Sequence, residues 1–231
     1  MPFLSRYEDD PSRPTVTEAM RDIAVRMVAP GVVLFGLVVG LGLLLVGPAS
    51  GIGTDEERAN RWIADRRTPT WNTITFYWTH MAATEIIIGV CLLGVVLVWW
   101  RTRQWWYAVI PLLAITLQAI IFVSAAAVVG RPRPPVPKLD TSPPTASFPS
   151  GHEGASTALY LSFLLMATGI RNRTMRYAAM TLCAIVPLLV GYSRFYRGMH
   201  HISDLLAGML VGGTSAVLAW NYLRRSERTP A

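Results

Sequence analysis

Residues 105–134 read WWYAVIPLLAITLQAIIFVSAAAVVGRPRP, a long apolar run that ends in two arginine–proline pairs. Between Trp105 and Val129 the run has no Asp, Glu, Lys or Arg, and it exceeds the roughly 20 apolar residues that a helix needs to cross a bilayer. Arg131 and Arg133 follow at once. Charged side chains are costly beside hydrocarbon and commonly have a function there. This stretch therefore predicts a transmembrane helix with a polar site at its end.

The composition of the whole chain agrees with a lipid environment. The 231 residues are 52% hydrophobic and only 15% charged, whereas a soluble domain has about 25% charged residues. A large soluble helical protein is the alternative, but most of the apolar runs are too long and too free of charge for it. Five further runs complete an all-α bundle of six predicted transmembrane spans, at residues 27–46, 79–100, 151–170, 175–192 and 202–222.

The arginines predict how these spans are oriented. With six spans, both termini and the loops after the second and fourth spans lie on one side, and these arginine-rich segments should be cytoplasmic. We expect a multi-pass protein of the inner (plasma) membrane with its polar clusters facing the extracytoplasmic side. The net charge of +7 then needs no nucleic-acid partner. The predicted parts are a cytoplasmic tail at 1–26, one membrane domain at 27–223, whose first span is a retained anchor, and a basic cytoplasmic tail at 224–231.

Some features of the sequence exclude other kinds of site or leave alternatives open. Cys91 and Cys183 lie inside predicted spans and are expected to pack as small apolar residues. The absence of a His/Cys cluster at metal-ligand spacing predicts that no metal or cofactor is bound. Residues 51–69 fit an amphipathic helix at the outer membrane surface or a solvated loop equally well. Gly208 and Gly212 have the spacing of close helix packing, within the chain or in a homo-oligomer.

A second polar cluster, Pro149-Ser150-Gly151-His152, begins the fourth predicted span. Ser150 and Glu153 have capping-box spacing, which predicts a helix start at Ser150. The free N–H groups of a helix start favour phosphate, and Gly151 would let a phosphate approach the backbone. His152 would lie at the edge of such a site. By itself, the tetrapeptide fits a plain helix cap with a surface histidine better.

The third cluster joins the end of the fifth span to the start of the sixth. Ser193 and Arg194 precede His200 and Asp204, which are four residues apart and share one helix face. A carboxylate below a histidine can accept the Nδ1–H bond and leave Nε2 free as a nucleophile or base. His201 is three residues from Asp204, and we interpret it as an interfacial bystander.

Arg131 and Arg133 complete the polar set. An arginine presents a planar fork of donors that binds pairs of phosphate oxygens. An arginine pair that snorkels to the interface is the alternative. Three clusters on one predicted face of the membrane nevertheless combine two histidines, several arginines and a carboxylate, which suffice to transfer a phosphoryl group without a metal.

The pattern Arg-Pro, then Pro-Ser-Gly-His, then Ser-Arg-x5-His-x3-Asp resembles the type-2 phosphatidic acid phosphatase superfamily of integral-membrane lipid phosphatases. The resemblance extends from Arg133 to Asp204 and includes the six-span layout. It implies that no metal takes part. It also implies that His200 is the nucleophile that forms a phosphohistidine and that Asp204 orients the His200 ring. His152 would be the general acid. The groups that bind the phosphoryl oxygens would be Arg133, Arg194, Ser150, the Gly151 amide and Arg131.

One position departs from that pattern. The first family motif begins with a lysine seven residues before its arginine, and here Ala126 stands seven residues before Arg133. The missing cation could be supplied by Arg131, Arg197 or Lys138, the last being the only lysine of the chain. Losing one charge-assisted contact to phosphate would cost about 1.5–3 kcal/mol, which weakens such a site without abolishing it.

The sequence therefore predicts an outward-facing hydrolase that acts on a lipid phosphate or diphosphate in the bilayer. By the family resemblance a polyprenyl diphosphate is the favoured substrate, ahead of phosphatidylglycerol phosphate and phosphatidic acid. A non-enzymatic protein that binds or transports lipid phosphates is the alternative, and the missing lysine favours it. Haloperoxidases share the motif plan but are soluble, so we exclude them.

Overall fold

The long apolar runs form helices that pack side by side in a computed structural model, which describes residues 14–141 and 145–222. The helix α1 includes a π-helical turn at Ala24–Val28, and α5 has a one-residue break at Val109. No strand occurs among the described residues, so the all-α class is confirmed. The helices are α1 Val16–Val46, α2 Ser50–Ala64, α3 Pro69–His80, α4 Thr84–Thr102, α5 Trp105–Val129, α6 Gly151–Ala167, α7 Arg173–Tyr196 and α8 Ile202–Trp220.

Five of these helices, α1, α4, α5, α7 and α8, are long and apolar enough to cross a bilayer. Their outward surfaces carry exposed Leu, Ile, Val and aromatic side chains, as expected where lipid is the solvent. The chain is thus a multi-pass membrane protein. The fourth expected span corresponds to α6, which has 17 residues, or about 25 Å at the α-helical rise. The count of six spans and their orientation remain predictions.

The second span differs from its prediction. Residues 79–100 were expected to form one helix, but α3 ends at His80 and α4 begins at Thr84. Pro69 occupies the first turn of α3, and the Thr68 side chain caps it by accepting a bond from the Trp71 amide. Thr75 and Thr79 of α3 turn inward, where Arg197 and Arg194 bond them, and α3 packs against α7 as a separate helix.

Residues 51–69, which fitted either a surface helix or a loop, form a helix over most of their length. On this helix, α2, Trp62 is 57% exposed whereas Glu56 is 8% exposed and Asn60 is fully buried. A carboxylate and an amide would be buried only if protein groups bond them. Asn60 reaches the segment between α7 and α8, and Glu56 reaches the first turn of α8.

The helices α6 and α8 form the most extensive packing in the described chain. Gly208 lies against the carbonyl oxygen of Ser150, from which a Cβ atom would be 2.6 Å, and Gly212 lies against the carbonyl oxygen of Gly154. The close packing expected at Gly208 and Gly212 therefore occurs within the chain. It brings the start of α6 and the start of α8 side by side, and these starts carry His152 and Asp204.

Gly212→Ala should destabilise the protein, because its new methyl group would overlap the Gly154 carbonyl oxygen. We expect a loss of about 1–3 kcal/mol, the usual cost of overpacking, measured by thermal unfolding in detergent.

Gly213→Ala is the matched control. A Cβ atom there meets only side-chain carbons of Leu161 and Thr157, at 3.8 and 4.0 Å, so its stability should equal or slightly exceed that of the native chain. Equal losses in both variants would contradict the packing described for α6 and α8.

Candidate active site

The three polar clusters meet at one end of the helix bundle. Arg133 donates from Nη1 to the carbonyl oxygen of Met199 at 2.8 Å, and the same nitrogen lies 3.4 Å from Nε2 of His200. Its Nη2 donates to the carbonyl oxygen of Thr145 at 3.3 Å, while its buried Nε has no partner among the described residues. The first and third clusters are therefore joined by a guanidinium that adjoins Nε2 of His200.

His200 is 3% exposed, and its ring is held by a backbone carbonyl. Nδ1 lies 2.8 Å from the carbonyl oxygen of Ser147, which can only accept, so Nδ1 carries the proton. Nε2 is then unprotonated and faces Arg133. We expected His200 and Asp204 to share one helix face, with Asp204 accepting this Nδ1–H bond directly. The helix α8 begins only at Ile202, after His200, and the nearest Asp204 oxygen is 3.8 Å away.

Asp204 acts on the histidine through Ser147. Its fully buried carboxylate accepts a hydrogen bond of 2.5 Å from the Ser147 hydroxyl. It also accepts bonds from the backbone amide of His201, at 2.8 Å, and from the His201 ring, at 3.2 Å. His201, which we interpreted as an interfacial bystander, is thus buried beside Asp204.

Arg131 lies beneath the site and is 4% exposed. Its Nη1 forms an ion pair of 2.6 Å with Asp204, and its Nη2 forms one of 2.9 Å with Glu56. We expected Arg131 to bind phosphate, but its guanidinium is occupied by two carboxylates. Glu56, from α2, was not identified in the sequence as a site residue.

Arg194, expected to bind phosphate, is also paired. Its Nη1 donates to the Thr79 hydroxyl at 2.9 Å and to Asp140 at 3.0 Å, and its buried Nε has no partner among the described residues. The same Asp140 carboxylate forms a 2.6 Å ion pair with Arg197. Asp140 and Thr79 were missed because no local pattern distinguishes a lone loop aspartate or a helix-end threonine.

The start of α6 supplies Ser150, Gly151 and His152. Ser150 is the N-cap and accepts a bond from the Glu153 amide, as expected, but Glu153 does not return the bond, because the Ser150 amide donates to the Asp204 carbonyl at 2.9 Å. A Cβ on Gly151 would meet the Phe122 ring at 2.7 Å, so packing also requires this glycine. His152 lies within electrostatic range of Arg133, Arg194 and His200.

The position of the missing family lysine is buried in α5. Ala126 is 4% exposed in the last turn of that helix. Of the three cations considered as replacements, Arg131 and Arg197 are engaged by carboxylates, and Lys138 is exposed. Arg133 and Arg194 each have a buried Nε without a partner among the described residues, and both lie within electrostatic range of His152 and His200.

The sequence model of the PAP2 superfamily matches residues 107–228, which is more than half of the chain. The chain belongs to the PAP2 superfamily. The match includes all the predicted site residues.

Two curated relatives share part of the sequence with this PAP2 protein. An uncharacterized 22.5 kDa protein from the cps region of Klebsiella pneumoniae is 32% identical over 81 residues, which are 35% of this chain and 37% of that protein. A Drosophila melanogaster protein, provisionally named a phosphatidate phosphatase, is 36% identical over 81 residues, 33% of this chain and 21% of that protein. The chain thus spans well under half the length of each.

Two crystal structures share the fold. A transmembrane PAP2-type phosphatidylglycerolphosphate phosphatase from Bacillus subtilis superposes with a TM-score of 0.72 at 20% identity, covering 82% of this chain and 93% of that one. LpxE from Aquifex aeolicus superposes with a TM-score of 0.57 at 18% identity, covering 70% and 92%. At these identities the similarity establishes the fold alone.

His200 should remain uncharged throughout the physiological pH range. Burial, together with the positive charges of Arg194 and Arg133, lowers the pKa of His200 to about 4, although Asp204 opposes the shift. In histidine-labelled protein in micelles, NMR should show one ring, absent from His200→Gln, that titrates near pH 4.

Arg133→Gln tests how much the neighbouring positive charge contributes to this shift, beside the larger effect of burial. Removing a positive charge whose Nη1 is 3.4 Å from Nε2 favours the protonated ring, so the pKa of His200 should rise. A His200 ring that titrates near 6.5 in the native chain, unaffected by Arg133→Gln, would contradict the site geometry.

Proposed function

We propose that this protein is a membrane lipid phosphatase that cleaves lipid phosphates or diphosphates through a phosphohistidine at His200. The observation that supports this best is the orientation of the His200 ring. Nδ1 is bonded to the Ser147 carbonyl, while Nε2 adjoins a guanidinium that would bind phosphate oxygens. A nitrogen that is desolvated, unprotonated and next to a phosphate-binding cation is suited to attack phosphorus.

The reaction would proceed in two displacements. Nε2 of His200 attacks phosphorus, and the bond from phosphorus to the lipid oxygen breaks as His152 gives that oxygen a proton. Water then attacks the phosphohistidine, loses a proton to His152 and releases phosphate with neutral His200. Arg133 and Arg194, with the Ser150 hydroxyl and the Gly151 amide, stabilise the charge on the phosphoryl oxygens. The positive charge that develops on the imidazole is stabilised by the Ser147 carbonyl and the Asp204 carboxylate.

We propose an isoprenoid phosphate or diphosphate as the substrate, with phosphatidylglycerol phosphate and phosphatidic acid as alternatives. A site at helix ends can receive a lipid headgroup while the tails remain in the bilayer. The names of the Bacillus and Drosophila relatives support lipid monophosphates among the candidates. The proposed location is the inner membrane, with the site on the extracytoplasmic side, and no metal takes part.

Phosphate release from a panel of these lipids in detergent micelles tests the proposal. The native chain should hydrolyse at least one of them in the presence of a chelator, and vanadate should inhibit. His200→Ala should release no phosphate and should form no acid-labile phosphoprotein, because it lacks the nucleophile. Phosphate trapped on another residue, or strict dependence on added divalent metal, would contradict the mechanism.

His152→Ala tests the general acid separately. It should slow the release of an alkoxide, typically by 10²–10⁴-fold, but it should largely spare a nitrophenyl phosphate, whose leaving group needs no proton. Comparing the two substrates in single-turnover assays measures the difference. Equal losses on both substrates would remove His152 from this role.

The competing hypothesis is a protein that binds or transports lipid phosphates without hydrolysing them. Two observations favour it: carboxylates pair with Arg131, Arg194 and Arg197, and position 126 is an alanine. Less free positive charge therefore remains to stabilise a transition state. The same panel decides between the two. Saturable binding without phosphate release, with hydrolysis gained on Ala126→Lys, would establish the binding protein.

A further inference from the structure

Glu56 lies outside all three motifs, yet its carboxylate bonds both Arg131 and the start of α8. Glu56 Oε1 accepts the backbone amide of Ser203 at 2.6 Å, and Oε2 accepts the Ser203 hydroxyl and Arg131 Nη2, both at 2.9 Å. Arg131 in turn donates to the Ser203 hydroxyl at 2.7 Å and to Asp204 at 2.6 Å. Each donor in this cluster therefore has a partner.

The cluster is buried, so its charges act strongly on each other. The side chains of Glu56, Arg131 and Asp204 are 10%, 4% and 0% exposed. Two carboxylates share one guanidinium, which leaves one net negative charge. That charge lies beneath His200, whose Nδ1 is 3.8 Å from Asp204. Without Glu56, Arg131 would neutralise Asp204 alone, and the negative charge beside the histidine would be lost.

The helix α2 makes a second contact, with the backbone of His200. Asn60, one turn after Glu56 on the same face, donates to the carbonyl oxygen of His200 at 3.2 Å, and it is fully buried. One helix from outside the motifs thus holds both the backbone of His200 and the start of α8, where Asp204 lies.

We propose that Glu56 is a positioning residue, which keeps Arg131 from neutralising Asp204 and so preserves the negative charge that favours an imidazolium at His200. This inference rests on the proposed function. Glu56 touches no reacting atom, and it acts through Arg131. Its loss should therefore slow the formation of the phosphohistidine more than it weakens substrate binding.

Glu56→Gln retains the size of the side chain but removes its charge. We expect kcat to fall about ten- to hundredfold, as for a lost charge-assisted bond that acts in the transition state, with KM changed by less than about threefold. Rapid-quench assays with a lipid phosphate from the panel should show the loss in the phosphorylation step. Glu56→Asp, which keeps the charge, should recover part of the rate.

Glu57→Gln is the matched control on the same helix. Glu57 is partly exposed and pairs only with Arg61 at 3.4 Å among the described contacts, so its kcat should equal that of the native chain. The Arg131→Gln variant should lose little more when Glu56→Gln is added, because both changes disrupt one pair.

The outcomes separate the inference from the proposed function. If the native chain hydrolyses none of the lipids, the proposed function fails. If the native chain is active and Glu56→Gln matches it in kcat, the positioning role is wrong. A Glu56→Gln variant with lowered thermal stability, raised KM and no rescue by Glu56→Asp would show a purely structural role and would also overturn the inference.

Discussion

The carboxylate of Asp204 is bonded by Arg131, by the Ser147 hydroxyl and by the amide and ring of His201. These donors belong to three segments that the membrane helices bring together. A buried carboxylate without partners would cost several kcal/mol, and these donors together offset that cost. Through Ser147, the same carboxylate is connected to the carbonyl that orients His200. The rest of the site depends on this arrangement.

The packing of α6 against α8 also determines the positions of the site residues. Gly208 and Gly212 let α8 approach the backbone of α6, and the Ser150 amide bonds the Asp204 carbonyl across the contact. His152, in the first turn of α6, and His200, just before α8, therefore lie near each other because these two helix starts pack side by side. A loose contact between α6 and α8 would separate the proposed acid from the nucleophile, and a misplacement of about 1 Å can cost a hundredfold in rate.

The sequence was sufficient to predict the helical class, the starts of α6 and α8 and the convergence of the motifs, because hydropathy, capping and helical spacing are local. It was insufficient where a contact between residues distant in the sequence determines which partner a side chain bonds. The His200 ring bonds Ser147 in place of Asp204, since the segment before α6 brings a carbonyl 2.8 Å from Nδ1. Glu56 and Thr79 were missed for the same reason: partners distant in sequence allow a polar side chain to be buried in a helix that resembles an interfacial or spanning segment.

The charges around the site explain how a PAP2 protein can lack the motif lysine. Arg131 is shared by Glu56 and Asp204, while Arg194 and Arg197 share Asp140. Arg133 has no carboxylate partner among the described contacts: it donates to the carbonyl oxygens of Met199 and Thr145 and lies beside Nε2 of His200. Much of the positive charge is therefore neutralised, and a phosphoryl group would be held by directed N–H donors more than by net charge. Arg133 and Arg194 each have an Nε without a partner among the described residues, and the proposed function assigns phosphate binding to these two arginines. Under the proposed function, donors directed at the phosphoryl oxygens would therefore offset part of the transition-state stabilisation that the missing lysine would give.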